Sequence, residues 1–164
     1  MKKLLLLSFC LLMLCTGSIA QPRIGGMLGY GSEAEQWGLG VNGEFFITDR
    51  VSFSPDLFFY VPEKNRGIKR SFWEFNGNFH YYFLEEDFIG LYGLAGLNLT
   101  SARVKTDKEF PDGRESSNSE LGVNFGLGAN FDAGAVMPFA ELKYTASALD
   151  QAVIFIGLKF PLRE

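Results

Sequence analysis

Cysteine and histidine are scarce in this chain, and long hydrophobic runs are confined to its first residues. The two cysteines are Cys10 and Cys15, and the one histidine is His80. Both cysteines fall inside an N-terminal segment that has the features of a signal peptide. Disulfides, metal–thiolate sites and cysteine nucleophiles are therefore excluded for the mature protein. Beyond residue 20 no apolar run is long enough for a transmembrane helix.

The N-terminal segment has the parts of a secretory signal peptide. Lys2 and Lys3 give it a positive start, residues 4–14 are almost wholly apolar, and small residues follow. We therefore expect residues 1–20 to be a cleaved signal peptide and residues 21–164 to form a single domain. An uncleaved anchor is the alternative interpretation of this segment.

The charge balance is acidic and the aromatic content is high. Removing Lys2 and Lys3 from the 15 basic residues leaves 13 against 19 acidic ones, a net charge of −6. This balance gives nucleic acid nothing to bind, so we expect no nucleic-acid partner. Aromatic residues make up 15% of the chain, with 17 Phe. A closed sheet with alternating faces can carry this much apolar surface without any long apolar run.

A strict two-residue alternation runs through most of the chain. In residues 121–131 every odd position is apolar and every even position is Gly or Asn. Successive side chains of a strand point to opposite faces, so this pattern predicts strands with one apolar side. The predicted strands cover residues 22–31, 36–47, 51–61, 70–83, 88–102, 119–131, 135–146 and 151–160. Pro55 and Pro138 fall inside two of them and indicate bulges or local breaks in pairing.

The connections between these strands alternate between two classes. Tight turns are expected at residues 48–50, 84–87 and 132–134. More polar connections are expected at residues 32–35, 63–69, 104–118 and 147–150, and the middle two are long. Outer-membrane barrels have short periplasmic turns and longer outside loops. An even number of strands puts both termini on the same side, which we expect to be the periplasm.

The apolar side of the strands carries aromatic residues toward both ends. Such aromatics form girdles at the two headgroup regions of a bilayer. The predicted girdle residues are Tyr30, Trp37, Phe59, Trp73 and Tyr144 at one rim, and Phe45, Phe83, Phe131 and Phe160 at the other.

The polar side of the strands is expected to line the lumen. Isolated charges in a narrow lumen are costly, so we expect a paired network that fills it. The predicted network is structural and consists of Glu44, Asp56, Glu74, His80, Glu141, Lys143 and Lys159. A soluble, lipocalin-type barrel with its apolar side inward is the alternative. It is disfavoured because the polar side is rich in Gly, Asn and Ser rather than Lys and Glu, and because a narrow barrel lacks room for so many Phe and Trp.

The signal peptide, the eight alternating strands, the short turns on one side and the aromatic end of the last strand resemble small eight-stranded outer-membrane β-barrels. These are the OmpA/OmpX-like barrels, including proteins of the "outer membrane protein beta-barrel domain" type. The resemblance covers the whole mature chain and implies an all-β, antiparallel, up-and-down transmembrane β-barrel. The chain departs from the family pattern because residues 161–164 follow the terminal aromatic Phe160, which is the usual assembly signal.

Three features could carry chemistry, and each is weaker than its structural interpretation. Residues 38–43 match G-x-G-x-x-G, but they lie inside a predicted strand instead of before a helix. His80 has no recognisable Ser partner for nucleophilic catalysis. Residues 105–118 contain four carboxylates but lack EF-hand spacing, which favours a solvated loop over a divalent-cation site. We therefore expect no catalytic, cofactor-binding or metal-binding residues.

These features together predict an outer-membrane β-barrel of structural or interaction type, with a charge-plugged lumen and no enzymatic activity. Its expected partners are the lipid of the Gram-negative outer membrane, the barrel-insertion machinery and an extracellular partner that contacts loops 63–69 and 104–118. We expect a monomer. The alternatives are a small channel or hydrophobic-solute conduit, and a lipid A-modifying enzyme.

Overall fold

Nine antiparallel strands form a continuous sheet in the computed structural model of the protein. The structure describes residues 22–33, 35–65, 68–106, 115–148 and 150–162, so the predicted signal peptide lies outside the described residues. The strands are β1 (Arg23–Gly31), β2 (Gln36–Thr48), β3 (Val51–Tyr60), β4 (Glu63–Asn65), β5 (Ile68–Glu86), β6 (Ile89–Thr106), β7 (Glu115–Phe131), β8 (Met137–Ala146) and β9 (Gln151–Pro161).

The sheet closes on itself into a barrel. Its strand order is β3-β2-β1-β9-β8-β7-β6-β5-β4, and a further pairing of β3 with β5 joins the two ends. Because β3 and the short β4 both pair with β5, they occupy one position in the barrel wall, and the barrel has eight strands. The predicted fold, an eight-stranded antiparallel barrel, is confirmed. Within the described ranges, no helix is long and apolar enough to cross a membrane.

Polar residues face the inside of the barrel and apolar residues face the outside. Along β7, Asn124 is completely buried, whereas the neighbouring Phe125 and Leu127 are 53% and 62% exposed. The same alternation of buried and exposed positions runs along β1, β2 and β3. This is the arrangement of a transmembrane barrel, where the apolar face meets lipid and the polar face lines the lumen.

The two ends of the barrel differ. One end, which we name the turn end, carries both termini of the barrel and the tight connections after β2, β5 and β7. The opposite end, which we name the loop end, carries the connections after β1, β4, β6 and β8. The predicted assignment of the connections to the two ends agrees with the strand order. The predicted difference in length does not hold throughout, because the connection after β7 spans residues 132–136 and the connection after β4 only residues 66–67.

Several predicted boundaries are wrong. Residues 84–86 continue β5, and β8 begins at Met137 instead of Ala135. Residues 63–65, 68–69, 104–106 and 115–118, which we expected in long loops, belong to strands. The antiparallel ladder continues past the girdle because it keeps pairing backbone N–H and C=O groups. The rest of the predicted loop 104–118, residues 107–114, lies outside the described residues.

The lengthened strands form a sheet at the loop end, which we name the extension. It consists of β4 with residues 68–72 of β5, 102–106 of β6 and 115–118 of β7, which pair with one another in unbroken register. In contrast, at this end of the barrel β1 stops at Gly31 and β9 starts at Gln151, close to the level of Tyr30. The extension therefore stands out on one side of the barrel.

Pro55 interrupts the ladder as the sequence predicts. In the β2–β3 ladder, Asn42 pairs with Asp56 and Phe45 pairs with Phe53, but the residues between these two pairs are not paired. Proline has no N–H to donate at this point. The Ser54 hydroxyl instead donates a hydrogen bond to the Gly43 carbonyl, at 2.9 Å. Pro138 pairs with Leu158 of β9, next to the end of the β7–β8 ladder.

Candidate functional site: the lumen and the aromatic girdles

Glu44 is the centre of the turn-end half of the lumen. Its Oε2 lies 3.0 Å from Lys159 Nζ and 3.4 Å from Arg23 Nη1. Its Oε1 accepts hydrogen bonds from the Ser52 hydroxyl at 2.8 Å and the Tyr82 hydroxyl at 2.5 Å. The glutamate is completely buried, and two cations and two hydroxyl donors from four other strands compensate its charge.

His80 lies between two carboxylates in the same half of the lumen. Its Nδ1 is 3.4 Å from Glu44 Oε1, and its Nε2 is 3.9 Å from Glu141 Oε2. The imidazole stacks on the Tyr92 ring, with centroids 4.3 Å apart and planes 15° apart. The Tyr92 hydroxyl donates to Glu141 at 2.9 Å. His80 therefore packs between side chains from β2, β6 and β8.

A second ion pair lies in the loop-end half of the lumen. Lys143 Nζ is 3.1 Å from Glu74 Oε2, and both side chains are buried. Glu74 Oε1 also accepts hydrogen bonds from the Tyr60 hydroxyl at 2.8 Å and from Gln151 Nε2 at 3.2 Å. Gln151 donates in addition to the Tyr60 oxygen. This cluster joins β3, β5, β8 and β9 across the lumen.

A layer of amide side chains separates the two ion clusters. Asp56 accepts hydrogen bonds from Asn76 Nδ2 at 2.7 Å and Asn78 Nδ2 at 3.2 Å. Asn124 Nδ2 donates to both of these asparagines at 2.8 Å, and Asn98 Nδ2 donates to Asn76 at 2.8 Å. Buried polar groups need such partners, and here each amide supplies them to its neighbours across the strands.

The structure thus brings all seven predicted lumen residues into the interior. Sequence reasoning did not predict the hydrogen bonds of the asparagine layer or the roles of Tyr60, Tyr92 and Gln151. The signal for the asparagines is their parity, since Asn76, Asn78 and Asn124 stand at inward positions of their strands. Their mutual contacts depend on the stagger between strands, which the pattern of one strand does not contain.

The interior also contains a few aromatic rings, which the sequence analysis did not predict. Phe58 and Phe155 are completely buried or nearly so, with ring centroids 5.0 Å apart. Glycines make the space: a Cβ at Gly38 would lie 2.4 Å from the Phe58 ring, and one at Gly29 would lie 2.6 Å from the Phe155 ring. The buried apolar cluster consists of Met27, Phe58, Tyr60, Phe139, Val153 and Phe155.

Ser52, His80 and Glu44 meet in space but do not form a catalytic triad. In a triad the histidine bridges the serine and the acid. Here the glutamate bridges them, because both Ser52 Oγ and His80 Nδ1 are directed at Glu44 Oε1. All three side chains are at most 2% exposed, so substrate has no access to them. Among the described residues there is also no group of three or more His, Cys, Asp or Glu that could hold a metal ion.

The nine predicted girdle residues all lie on the outer face of the barrel and are 37–62% exposed. At the loop end, the rings of Tyr30 and Trp37 are 5.2 Å apart, and Phe59 pairs with Trp73 across β3 and β5. Along β2, the stretch from Trp37 of one girdle to Phe45 of the other is nine residues long, which is within the length of about 9–11 residues that a tilted strand needs to cross a bilayer. The fold and these surfaces define a transmembrane β-barrel.

Comparison with known proteins places the chain in a family. A model of the outer membrane protein beta-barrel domain matches residues 4–152. The chain therefore belongs to this family of outer-membrane proteins, as the sequence predicts. No curated protein sequence matches the chain.

Solved structures of small outer-membrane barrels are similar in fold. Neisserial surface protein A is 14% identical, over 86% of this chain and 96% of that one, with a TM-score of 0.67. Ail, the attachment invasion locus protein of Yersinia pestis, is 15% identical over 87% and 97%, with a TM-score of 0.63. The N-terminal barrel domain of Pseudomonas aeruginosa OprF is 12% identical over 87% and 97%, with a TM-score of 0.59. At these identities the similarity shows the fold alone.

Proposed function

We propose that the protein is a monomeric, non-enzymatic barrel that anchors an interaction surface, the extension, in the outer membrane. The loop end faces the outside of the cell, and both termini face the periplasm, where the barrel-insertion machinery receives the chain. The lumen network and the aromatic girdles are structural: the network seals and braces the barrel, and the girdles position it in the lipid.

The observation that carries this proposal is the filled lumen. Two ion clusters, an asparagine layer and an aromatic cluster follow one another between the two ends, and their central side chains are buried. At the turn end, a recess lined by Arg23, Tyr82 and Asn130 has a volume of about 60 Å³. This interior argues against a conduit, because a conduit needs a continuous open path. Ser52, Glu44 and His80 are buried, and the glutamate rather than the histidine bridges the other two. This arrangement argues against a lipid-modifying enzyme.

The extension supports an interaction role. It continues four paired strands beyond the Trp73 level, while the barrel needs no strand there to cross the membrane. Function tends to lie on segments that a rigid scaffold presents. One solved structure of Ail, a barrel of the same fold, is a complex with the heparin analogue sucrose octasulfate. We propose that an extracellular partner binds the extension and the connections at residues 63–69 and 104–118.

Surface labelling tests the orientation. The predicted mature chain has no cysteine, so a single cysteine can be introduced at either end without background. Ser117→Cys places it in the extension, and Glu86→Cys places it at the turn end; both positions are exposed. We expect a membrane-impermeant maleimide to label S117C on intact cells and E86C only after the outer membrane is permeabilised. Labelling of E86C, but not S117C, on intact cells would reverse the orientation and refute the proposal.

A further inference from the structure

A groove interrupts the apolar outer face of the barrel where β8, β9, β1 and β2 lie side by side. It is open to the outside, has a volume of about 620 Å³ and is lined only by apolar side chains and glycines. Its lining residues on the outer face include Gly26, Leu28, Leu39, Ile156, Leu158 and Phe160. These residues lie on the face that meets lipid, so the groove is separate from the lumen.

Gly26 lies in the floor of the groove, and packing within the protein does not require a glycine there. It pairs with Val41 of β2 and Leu158 of β9, and both ladders continue through it without a bulge. An added Cβ would meet no atom closer than 3.9 Å, whereas phenylalanine rings cover the outward Gly43 and Gly77. Glycine inside a strand often marks a place where a ligand approaches the backbone closely. The space at Gly26 is therefore open to a group from outside the chain.

The groove lies between the two girdles. Phe160 of the turn-end girdle lines one end of it. Toward the loop end, the next outward residues after Leu28 and Leu39 are Tyr30 and Trp37, whose ring centroids are 5.2 Å apart. These two rings do not line the groove, so they mark its limit on that side. A ligand therefore enters the groove from the hydrocarbon layer or from the turn end.

We propose that the groove binds one acyl chain of a phospholipid from the leaflet at the turn end. The groove is continuous with the lipid-facing surface, and its apolar lining offers van der Waals contact only, which suits a hydrocarbon chain. A flexible chain reaches the floor at Gly26, whereas the convex wall of a second barrel would touch only the rims. The inference rests on the proposed function, because that function places the turn end in the periplasmic leaflet.

Lipid retention tests the proposal. The mature protein is reconstituted into nanodiscs of phosphatidylcholine and phosphatidylglycerol in equal parts, and the lipid that stays bound is counted by native mass spectrometry. We expect the wild type to retain one phospholipid per barrel. In G26F the new ring occupies the floor, so retention should fall by about tenfold or more. Because the acyl chain is the bound group, both lipids should be retained equally and raised salt should have no effect.

The matched control is G93F. Gly93 of β6 pairs with the exposed Tyr81 and Leu127, and an added Cβ there would meet no atom closer than 4.0 Å. Gly93 does not line the groove, so G93F adds the same ring to the outer face and should retain phospholipid like the wild type. Electrophoretic heat-modifiability establishes that the variants are folded, and the smaller substitution G26L replaces G26F if the latter does not fold.

Three results would overturn the proposal. Equal losses in G26F and G93F would show that any added ring on the outer face displaces lipid. A wild type that retains no phospholipid, or only the anionic one, would exclude a site for the chain. A wild-type dimer that G26F converts into monomers would assign the groove to a second copy. Surface labelling of S117C in the G26F background tests the orientation separately. If S117C is labelled on intact cells while retention is unaffected by G26F, the proposed function stands and the acyl-chain site does not.

Discussion

The ion pair between Lys143 and Glu74 shows how the lumen handles buried charge. Both side chains are buried, and Glu74 receives hydroxyl and amide donors in addition to the ammonium group. A buried ion pair of this kind contributes little net stability, because desolvation offsets the attraction between the charges. Its loss is nevertheless costly when one partner stays behind without compensation.

Replacing Lys143 by Met should therefore destabilise the barrel by about 3–5 kcal/mol. The double variant E74Q/K143M should recover most of this loss, because it removes the uncompensated charge together with its partner. Urea unfolding in lipid vesicles, followed by the fluorescence of Trp37 and Trp73, measures the free energy of unfolding. Arg50→Met, at an exposed turn position, is the control. If K143M costs no more than R50M, the ion pair is not part of the structural network.

Glycines at inward positions of the strands make room for large side chains of neighbouring strands. By parity Gly38 and Gly40 belong to the inward side of β2, but the sequence does not show which side chains they contact. In the structure the Phe58 ring covers both of them. The outward Gly26 has open space instead, with the nearest atom 3.9 Å from an added Cβ. The inward glycines of β2 and the bulky Phe58 of β3 are thus complementary features of neighbouring strands.

At the scale of strands, the alternation contained nearly all the information about which residue faces lipid. The sorting of inward and outward residues in β2, β3 and β7 could be predicted because parity depends on local geometry alone. Contacts across the lumen, such as Asn124 with Asn76, could not, because they depend on the stagger of strands that are far apart in the sequence. Strand ends could not be predicted either, because the hydrophobic pattern stops at the girdle while the ladder of β5 and β6 continues.

Alternate residues of β7 face outward, so the cost of placing a charge there depends on whether lipid or water surrounds the barrel. Leu127 is 62% exposed and lies in the central part of the strand, between Leu121 and Phe131. Leu127→Arg should cost about 2–4 kcal/mol in a bilayer, as charges at the midplane of a barrel do. Ser117→Arg, at an exposed position of the extension, should change the free energy of unfolding by less than about 1 kcal/mol.

Urea unfolding in vesicles compares the two arginine variants under the same conditions. A barrel whose outer face meets water would tolerate arginine at an exposed leucine position as well as at an exposed serine position. Equal stability of L127R and S117R would therefore contradict the membrane-facing assignment of the apolar surface. A large difference would confirm that hydrocarbon surrounds the central part of β7.

At the scale of the whole molecule, the barrel combines a closed wall with a filled interior. Closure pairs β1 with β9 and so satisfies the backbone groups that an open sheet would expose to lipid. Both polar and apolar side chains fill the interior. Charged and amide clusters occupy one part of it, and Phe58, Phe139 and Phe155 occupy the space that glycines leave. Each charged cluster spans strands from opposite sides of the wall, so the interior braces the barrel as well as blocking it.

The filled interior predicts that the wild type does not conduct. In planar bilayers we expect no stable openings on the nanosiemens scale, because buried side chains occupy the lumen from Glu44 to Tyr60. Removing interior bulk from both halves in Tyr92→Ala/Phe155→Ala, which takes away the rings against His80 and Lys143, should create an aqueous path past the two ion clusters and increase conductance. The matched variant Phe79→Ala/Phe125→Ala removes two exposed rings from the lipid face and should leave conductance unchanged. Stable nanosiemens openings of the wild type would refute the sealed lumen and favour the conduit, because only an open path can carry such a current.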